Sequence, residues 1–276
     1  MNSVPYGFCE SVCGVLPEIG KMNKLTADYS IWKLAAEMAS ERRLDVTIFI
    51  DHSDRAWNYE IKIWEADRNN RRTLFFQEFR KLNRQHIHLT GVWIGFPILG
   101  KRTSTLEEIV DIFEFTAPCV NLSDMKISES CTIPDKDLSR LLSFYHNATF
   151  REISCRYKAV GNEQFLLSQM QTSALKILSL SGYEWTVPFR LEIEKFALKK
   201  EFYTIDVTIP NLVFGREFFD ALTQKIKSEN PYRLFGATFS ARFYTDAHDM
   251  LGYFHVIRRN VDFRRCNRTA AIDSGR

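Results

Sequence analysis

Between residues 122 and 239 the chain repeats one short pattern, apolar-x-x-apolar-x-apolar. It occurs at Leu122/Met125/Ile127, Phe150/Ile153/Cys155, Leu175/Leu178/Leu180, Phe202/Ile205/Val207 and Leu234/Ala237/Phe239. The first positions, 122, 150, 175, 202 and 234, stand 28, 25, 27 and 32 residues apart. Those intervals lie within or just beyond the roughly 20–29 residue period of leucine-rich repeats. Each triplet follows a stretch with helical spacing. The first of these carries Leu106, Ile109, Val110 and Phe113 after Ser104 and Thr105, with Glu107 and Glu108 suited to the first turn. The second begins at Pro134 and carries Leu138, Leu141, Leu142 and Tyr145. Further stretches carry Phe165, Leu166 and Met170, then Leu191, Phe196 and Leu198, then Phe218, Phe219, Leu222 and Ile226 before Asn230-Pro231. Helices alternating with strands predict parallel pairing, because each connection is long enough for a crossover.

Alternation along the strands predicts that the sheet has one apolar face and one polar face. The intervening row, nearly all of it polar, holds Asp124, Lys126, Ser128, Glu152, Ser154, Arg156, Ile177, Ser179, Ser181, Thr204, Asp206, Thr208, Thr238 and Ser240. Such a row fits either a solvated surface or the concave binding face of a solenoid. On the second reading Asp124, Lys126, Glu152, Arg156, Ser179, Thr204, Asp206 and Thr238 are the candidate partner-binding residues. The asparagine that ends a standard repeat strand is replaced by Ser130, Lys158 and Tyr183, so the curvature is expected to be irregular. The predicted fold class is α/β: an irregular leucine-rich-repeat-like solenoid of helix–strand units with a largely parallel sheet, preceded by a short helical segment.

Upstream of the repeats, residues 44–50 and 59–64 alternate and are β-rich, predicting two strands joined through Asp51 to Trp57. A helix from Leu74 to Leu82 and a strand from Ile87 to Ile94 follow, a degenerate first repeat by this reading. The first forty residues predict two helices. Val4-Pro5 opens one whose Phe8, Val12 and Leu16 share a face, and Ile31, Trp32, Ala35, Ala36 and Ala39 make a second stripe. Each stripe suits either its neighbour or a partner. Three regions result: 1–43 helical, 44–100 capping, and 101–276 repeats with a C-terminal cap.

Composition narrows the function classes. The chain has 276 residues, 45% hydrophobic and 26% charged, which is ordinary for a buried core. Its 22 Phe imply a core sealed by large rings. A net charge of +3, from 37 basic against 34 acidic residues, is too even to imply nucleic-acid binding. Arg71-Arg72, Arg258-Arg259 and Arg264-Arg265, interleaved with Phe254 and Phe263, are read as a solvated edge rather than a nucleic-acid surface. The opening residues lack a basic region and carry Glu10, which argues against a signal peptide. No run approaches the roughly 20 apolar residues of a membrane span. A soluble cytoplasmic or nuclear protein with no membrane partner is expected, its six cysteines reduced.

Candidate chemistry is sparse. His86 and His88 share a strand face but have no third ligand at a useful spacing. Cys9 and Cys13 share a helical face and are read as packing. Cys155 with His146 has the residue types of a nucleophile and base, but Cys155 falls on the buried row, where a thiol is inert. The run from Gly91 to Gly95 lacks the glycines and lysine of a phosphate loop. No catalytic residue, metal or cofactor is expected.

The start V-P-x-x-F-x-x-x-V-x-x-x-L (Val4, Pro5, Phe8, Val12, Leu16), followed by Trp32 ahead of Arg42-Arg43-Leu44, resembles a shortened F-box. With the repeats of roughly residues 100–242, the chain looks like the nematode families in which an F-box-like start precedes an F-box-associated repeat domain of FTH type. The start departs from a typical F-box in lacking the Leu-Pro opening and the full three-helix length. The resemblance implies a substrate adaptor of a cullin–RING ubiquitin ligase. Val4, Pro5, Phe8, Val12 and Leu16 would then face a Skp-type linker protein, and the repeats would select an unidentified protein substrate.

Overall fold

A computed structural model describes residues 5–15, 31–64, 71–98, 102–156, 160–182, 185–199, 201–207, 209, 212–228, 238–244, 249–257 and 260–265. The fold is α/β, with mixed, mostly parallel strand pairing. Contacts divide it into two units, residues 1–155 with 159–169, and residues 156–158 with 170–276.

The first unit opens with helices α1 (Tyr6–Val15) and α2 (Ile31–Arg42). Strands β1 (Leu44–Ser53) and β2 (Ala56–Trp64) form an antiparallel hairpin. Its turn is only Asp54 and Arg55, both at positive φ (54° and 63°), so the strands run further than the predicted seven-residue connection allowed. β3 (Arg71–Leu74), α3 (Phe76–Phe79), β4 (Ile87–Ile94) and β5 (Arg102–Ser104) follow. The predicted helix from Leu74 to Leu82 is thus a single turn, because Arg71–Leu74 pairs with β2 instead (Ile61 opposite Leu74). Next come α4 (Leu106–Thr116), β6 (Val120–Ile127), α5 (Asp135–Ser143), β7 (Thr149–Arg156) and α6 (Val160–Gln171). Across the sheet the order is β7-β6-β4-β1-β2-β3, with β5 also on β2. β1, β4, β6 and β7 are parallel neighbours.

Register explains the core. Ile48, Val92, Met125 and Ile153 lie side by side, and Ile50, Ile94, Ile127 and Cys155 form the next row. All eight are buried. The helices supply the other half of the core: Ile109, Ile112 and Phe113 from α4, Leu138, Leu141 and Leu142 from α5, and Phe165 and Leu166 from α6. α4 starts as its sequence predicts, the Glu108 amide donating to Thr105 Oγ1 at 3.2 Å. Aromatic rings seal the layer, with Tyr145 5.0 Å from Phe113 and 5.7 Å from Phe150. The buried Tyr145 hydroxyl is satisfied by Thr116 Oγ1 at 2.9 Å.

One triplet departs from the pattern. Leu122 is only half-buried and sits at φ +54°, and Ser123 takes the buried position beside it, donating to the Leu89 carbonyl. Register shifts at Leu89/Gly91, Asn121/Ser123 and Ser123/Asp124 mark bulges in this part of the sheet. A bulge leaves an extra residue unpaired, which is how Leu122 loses its core place.

The second unit contains β8 (Ile177–Ser181), α7 (Val187–Lys199), β9 (Thr204–Val207), β10 (Val213–Phe214) and α8 (Arg216–Ser228). β11 (Thr238–Tyr244), β12 (Asp249–Ile257) and β13 (Asn260–Arg265) complete it. Its order is β13-β12-β11-β9-β8, with β10 parallel to β11 beyond the end of β9. Leu178 opposes Ile205 and Leu180 opposes Val207, while Ile205 opposes Phe239 on the other side. These side chains, with Leu175 and Phe202, are buried as their triplets predict. The remaining triplet positions Leu234 and Ala237 lie outside the described residues, as do Lys158, Tyr183, Thr208, Asn230-Pro231, Arg258-Arg259 and Cys266. No helix among the described residues is long and apolar enough to cross a membrane.

Because Ile153 sits in the inner row with no exposure, Ile153→Ala should cost about 2–5 kcal/mol, read as a lowered denaturation midpoint at unchanged slope. Gly95 is at φ +76°, where an added Cβ would lie 2.5 Å from Cys131 Cβ. Gly95→Ala should therefore destabilise strongly, whereas Gly215→Ala, which meets nothing within 4 Å, should not. Equal midpoints for the two glycine variants would contradict the packing described.

Candidate interaction surfaces

The helix pair buries its small residues. Cys9 and Cys13 of α1 pack on Ala35, Ala36 and Ala39 of α2, with Tyr6 and Trp32 partly covered beside them. Small side chains let two helices approach closely, so the spacing-of-four pair chosen for packing is Cys9/Cys13. Phe8 is left 56% exposed, touching the edge of Trp32 at 6.2 Å between centroids. Of the predicted linker-facing set, Pro5 is exposed and Val12 half-buried, while Val4 and Leu16 lie outside the described residues. Ile31 (40% exposed) and Leu34 (53%) add apolar surface on α2, and Leu34 was missing from the predicted stripe.

In the first unit, the predicted concave row falls on the side of the sheet opposite the buried rows. Asp124, Lys126 and Glu152 are half-buried there, and Arg156, the last residue of β7, is half-buried too and is grouped with the second unit. Asp124 stands opposite Glu152 and Lys126 opposite Ser154. Lys126 Nζ is 3.1 Å from Glu152, and Arg151 Nη2 is 3.6 Å from Asp124 Oδ1. Asp124 Oδ1 is buried without a hydrogen bond. Burial, helped by the Glu152 charge, raises the Asp124 carboxyl above its ordinary range, and Arg151 and Lys126 offset this only in part.

On the same side, sequence reading missed two rings. Phe49 opposes Trp93 across β1 and β4, flanked by Glu60 of β2 and Lys126 of β6 in one register row. The signal was present, since both rings occupy the outward parity of strands whose inward parity is aliphatic.

Another polar cluster lies at the start of β1. Arg43 Nε donates to Asp45 Oδ1 at 2.9 Å, and His88 Nδ1, in register across β4, is 3.0 Å from the same oxygen. Burial alone would push the Asp45 carboxyl up, but the His88 and Arg43 hydrogen bonds, with the Arg43 charge, hold it below its ordinary value. His88 is committed to this cluster, and His86 sits in the turn ahead of the strand. Among the described residues no group of three His, Cys, Asp or Glu side chains is placed to hold a metal.

In the second unit, Ser179 and Asp206 are opposite one another and Thr204 opposes Thr238. Ser179, Thr204 and Asp206 are half-buried, and the side chain of Thr238 lies outside the described set. Cys155 is fully buried in the first unit, takes a hydrogen bond from Asn162 Nδ2 at 3.3 Å, and has its thiol pushed up to about 12 by burial. His146 is exposed against Phe165, so the two are not a nucleophile–base pair.

Comparison of the chain with protein-family models, with curated proteins and with solved structures finds no match.

The two carboxylates predict opposite behaviour. Asp45 has a depressed folded value, so its contribution is present above the unfolded carboxylate value of about 4 and is lost as pH falls through the folded one. Asp45→Asn should lower the melting temperature at pH 7 and flatten the acid limb. Asp124, with its raised value, is penalised when charged, so Asp124→Asn should leave stability unchanged or raise it at pH 7. Thermal melts of both variants from about pH 3 to pH 8 check the pair of signs.

Proposed function

We propose that this chain is a non-catalytic interaction protein, and more narrowly an F-box-like substrate adaptor of a cullin–RING ubiquitin ligase. The observation that carries the reading is the apolar surface left on the α1–α2 pair. Phe8, Ile31 and Leu34 stay exposed although five small side chains between the helices are buried. Large exposed apolar side chains grouped on so small an element mark a protein contact. In this reading Pro5, Phe8 and Val12, with Leu34 as an addition, meet the Skp-type linker.

The half-buried polar sheet faces are then taken as substrate-selecting, each in its own unit: Asp124, Lys126 and Glu152 in the first, and Arg156, Ser179, Thr204 and Asp206 in the second. The finer fold reading belongs to the same proposal. Parallel strands joined by helices, repeated within each unit, support an irregular leucine-rich-repeat-like array of the FTH type. A cytoplasmic or nuclear location follows from the adaptor role.

Purified full-length chain should capture a purified Skp-type linker. Phe8→Asp and Leu34→Asp should each abolish capture with unchanged circular dichroism, since both side chains are more than half exposed. A wild-type chain that fails to bind the linker overturns the ligase role and leaves a repeat-scaffold binding protein.

A further inference from the structure

In the first unit β2 pairs with β1 along its whole length, so β3 and β5 lie end to end on its other side. Both run antiparallel to β2, and the outer border of the sheet reads Arg71-Arg72-Thr73-Leu74 and then Arg102-Thr103-Ser104. Among the described residues no strand pairs with the outer side of either piece. Phe75 leaves the border at the junction, 55% exposed, with the Arg102 guanidinium 3.6 Å from its ring centroid. The border thus holds three arginines and no acid. Arg71 stands on the polar side of the sheet, opposite Trp64 and 5.6 Å from its ring. Arg72 and Arg102 stand on the helix side, opposite the buried Ile63 and Tyr59. The neighbouring acids are already engaged, Glu60 by Lys62 at 2.9 Å and Glu108 by the Tyr59 and Ser104 hydroxyls at 3.2 and 2.6 Å. Past Phe75, Arg80, Lys81 and Arg84 are exposed as well, and Glu78 is the one acid between residues 71 and 84.

Three properties of this border select its occupant. Alternate residues of an outermost strand direct N–H and C=O groups away from the sheet, and another extended backbone satisfies them. A phosphate chain or a lipid headgroup brings no such ladder. A second copy of the same border would set arginine against arginine, and like charges directly opposite are destabilising. Arginines on both sides of the sheet suit a strand, whose successive side chains point to opposite sides, whereas a phosphate backbone needs its cations gathered on one face. We propose that the β3–β5 border takes an extended acidic segment of a partner protein as a further strand, its carboxylates meeting Arg71 on one side and Arg102 on the other. The two pieces of the border, four and three residues long, together offer an ordinary strand length. This inference rests on the reading of the chain as an interaction protein and uses neither the linker contact nor the polar rows.

The test uses the full chain and a fluorescently labelled peptide of repeated Glu-Thr. Anisotropy should show saturable binding that weakens as salt rises, since surface charge pairs are screened. Bound peptide should slow hydrogen exchange at amides within residues 71–74 and 102–104, the signature of a new ladder. Arg71→Glu and Arg102→Glu should each weaken binding roughly fivefold, the size of one reversed cross-strand charge pair, and should strengthen binding of a repeated Lys-Thr peptide. Arg71 is exposed, so Arg71→Glu should leave the melting temperature in place and isolate the binding effect. A Glu-Thr peptide methylated at every backbone nitrogen keeps its charge, loses its ladder donors and should not bind. No saturable binding of the Glu-Thr peptide at millimolar concentration, equal binding of the methylated peptide, binding without exchange protection at the border, or tighter binding of an oligothymidylate each overturns the assignment. Linker capture by the wild type is measured alongside. Intact capture with no peptide binding rejects this inference alone, and peptide binding without capture rejects the ligase role alone.

Discussion

Two buried rows running across β1, β4, β6 and β7 set the geometry of the first unit. A strand slipped by one residue would turn its aliphatic side chains to the polar side and bring Lys126 or Glu152 inward. With eight buried side chains in the rows, each contributing on the order of 1.5–3 kcal/mol, the correct register is strongly enforced. The bulged residues yield to it. Leu122 adopts a left-handed conformation, costing about 1–3 kcal/mol, so that Met125 and Ile127 can meet Ile153 and Cys155.

Fixing one parity of each strand fixes the other. The outward side chains stand in rows at a strand spacing of about 4.8 Å, and this places Lys126 between Trp93 and Ser154, and Asp124 between Gly91 and Glu152. Lys126–Glu152 and Arg151–Asp124 are cross-strand pairs that the core register brings together, whereas Lys62–Glu60 lies within β2. Lys62–Glu60 and Lys126–Glu152 are partly buried, and each cancels its own charge on this face. Asp124 and Asp45 show how local the balance is. One is pressed toward its neutral form by burial and a neighbouring carboxylate, and the other is held charged by two hydrogen-bond donors.

Legibility in the sequence followed the strength of periodicity. The triplets and the helices between them could be read because strand parity and helical spacing agree over many residues, and Glu107, Glu108 and Thr105 even marked the start of α4. Where tertiary pairing competes with local pattern, the reading failed. Arg71–Leu74 joined β2 as a strand, shortening a helix that Phe75, Phe76 and Phe79 had suggested. The hairpin turn was illegible because Asp54-Arg55 is not a residue pair that advertises positive φ. On α1, Phe8/Val12 and Cys9/Cys13 offered equally spaced faces. The cysteines, read as packing, are the pair that meets a partner helix lined with Ala35, Ala36 and Ala39, where small side chains allow close approach.

Gly91 and Trp93 are a sterically coupled pair on the outward parity of β4. A glycine inside a strand weakens it by roughly 0.5–1 kcal/mol, and Gly91 has no left-handed backbone angle to require it. Its evident steric reason is Trp93, whose indole occupies the space a Cβ would need. Trp93 in turn is placed on the outward parity, where its neighbours in the row are Phe49 and the ion-paired Lys126. A polar side chain there would let Gly91 be replaced by a stronger strand former, and both strands would keep their inner rows. The pair Gly91–Trp93 therefore gives up local strand propensity for the space the indole occupies on the outward face.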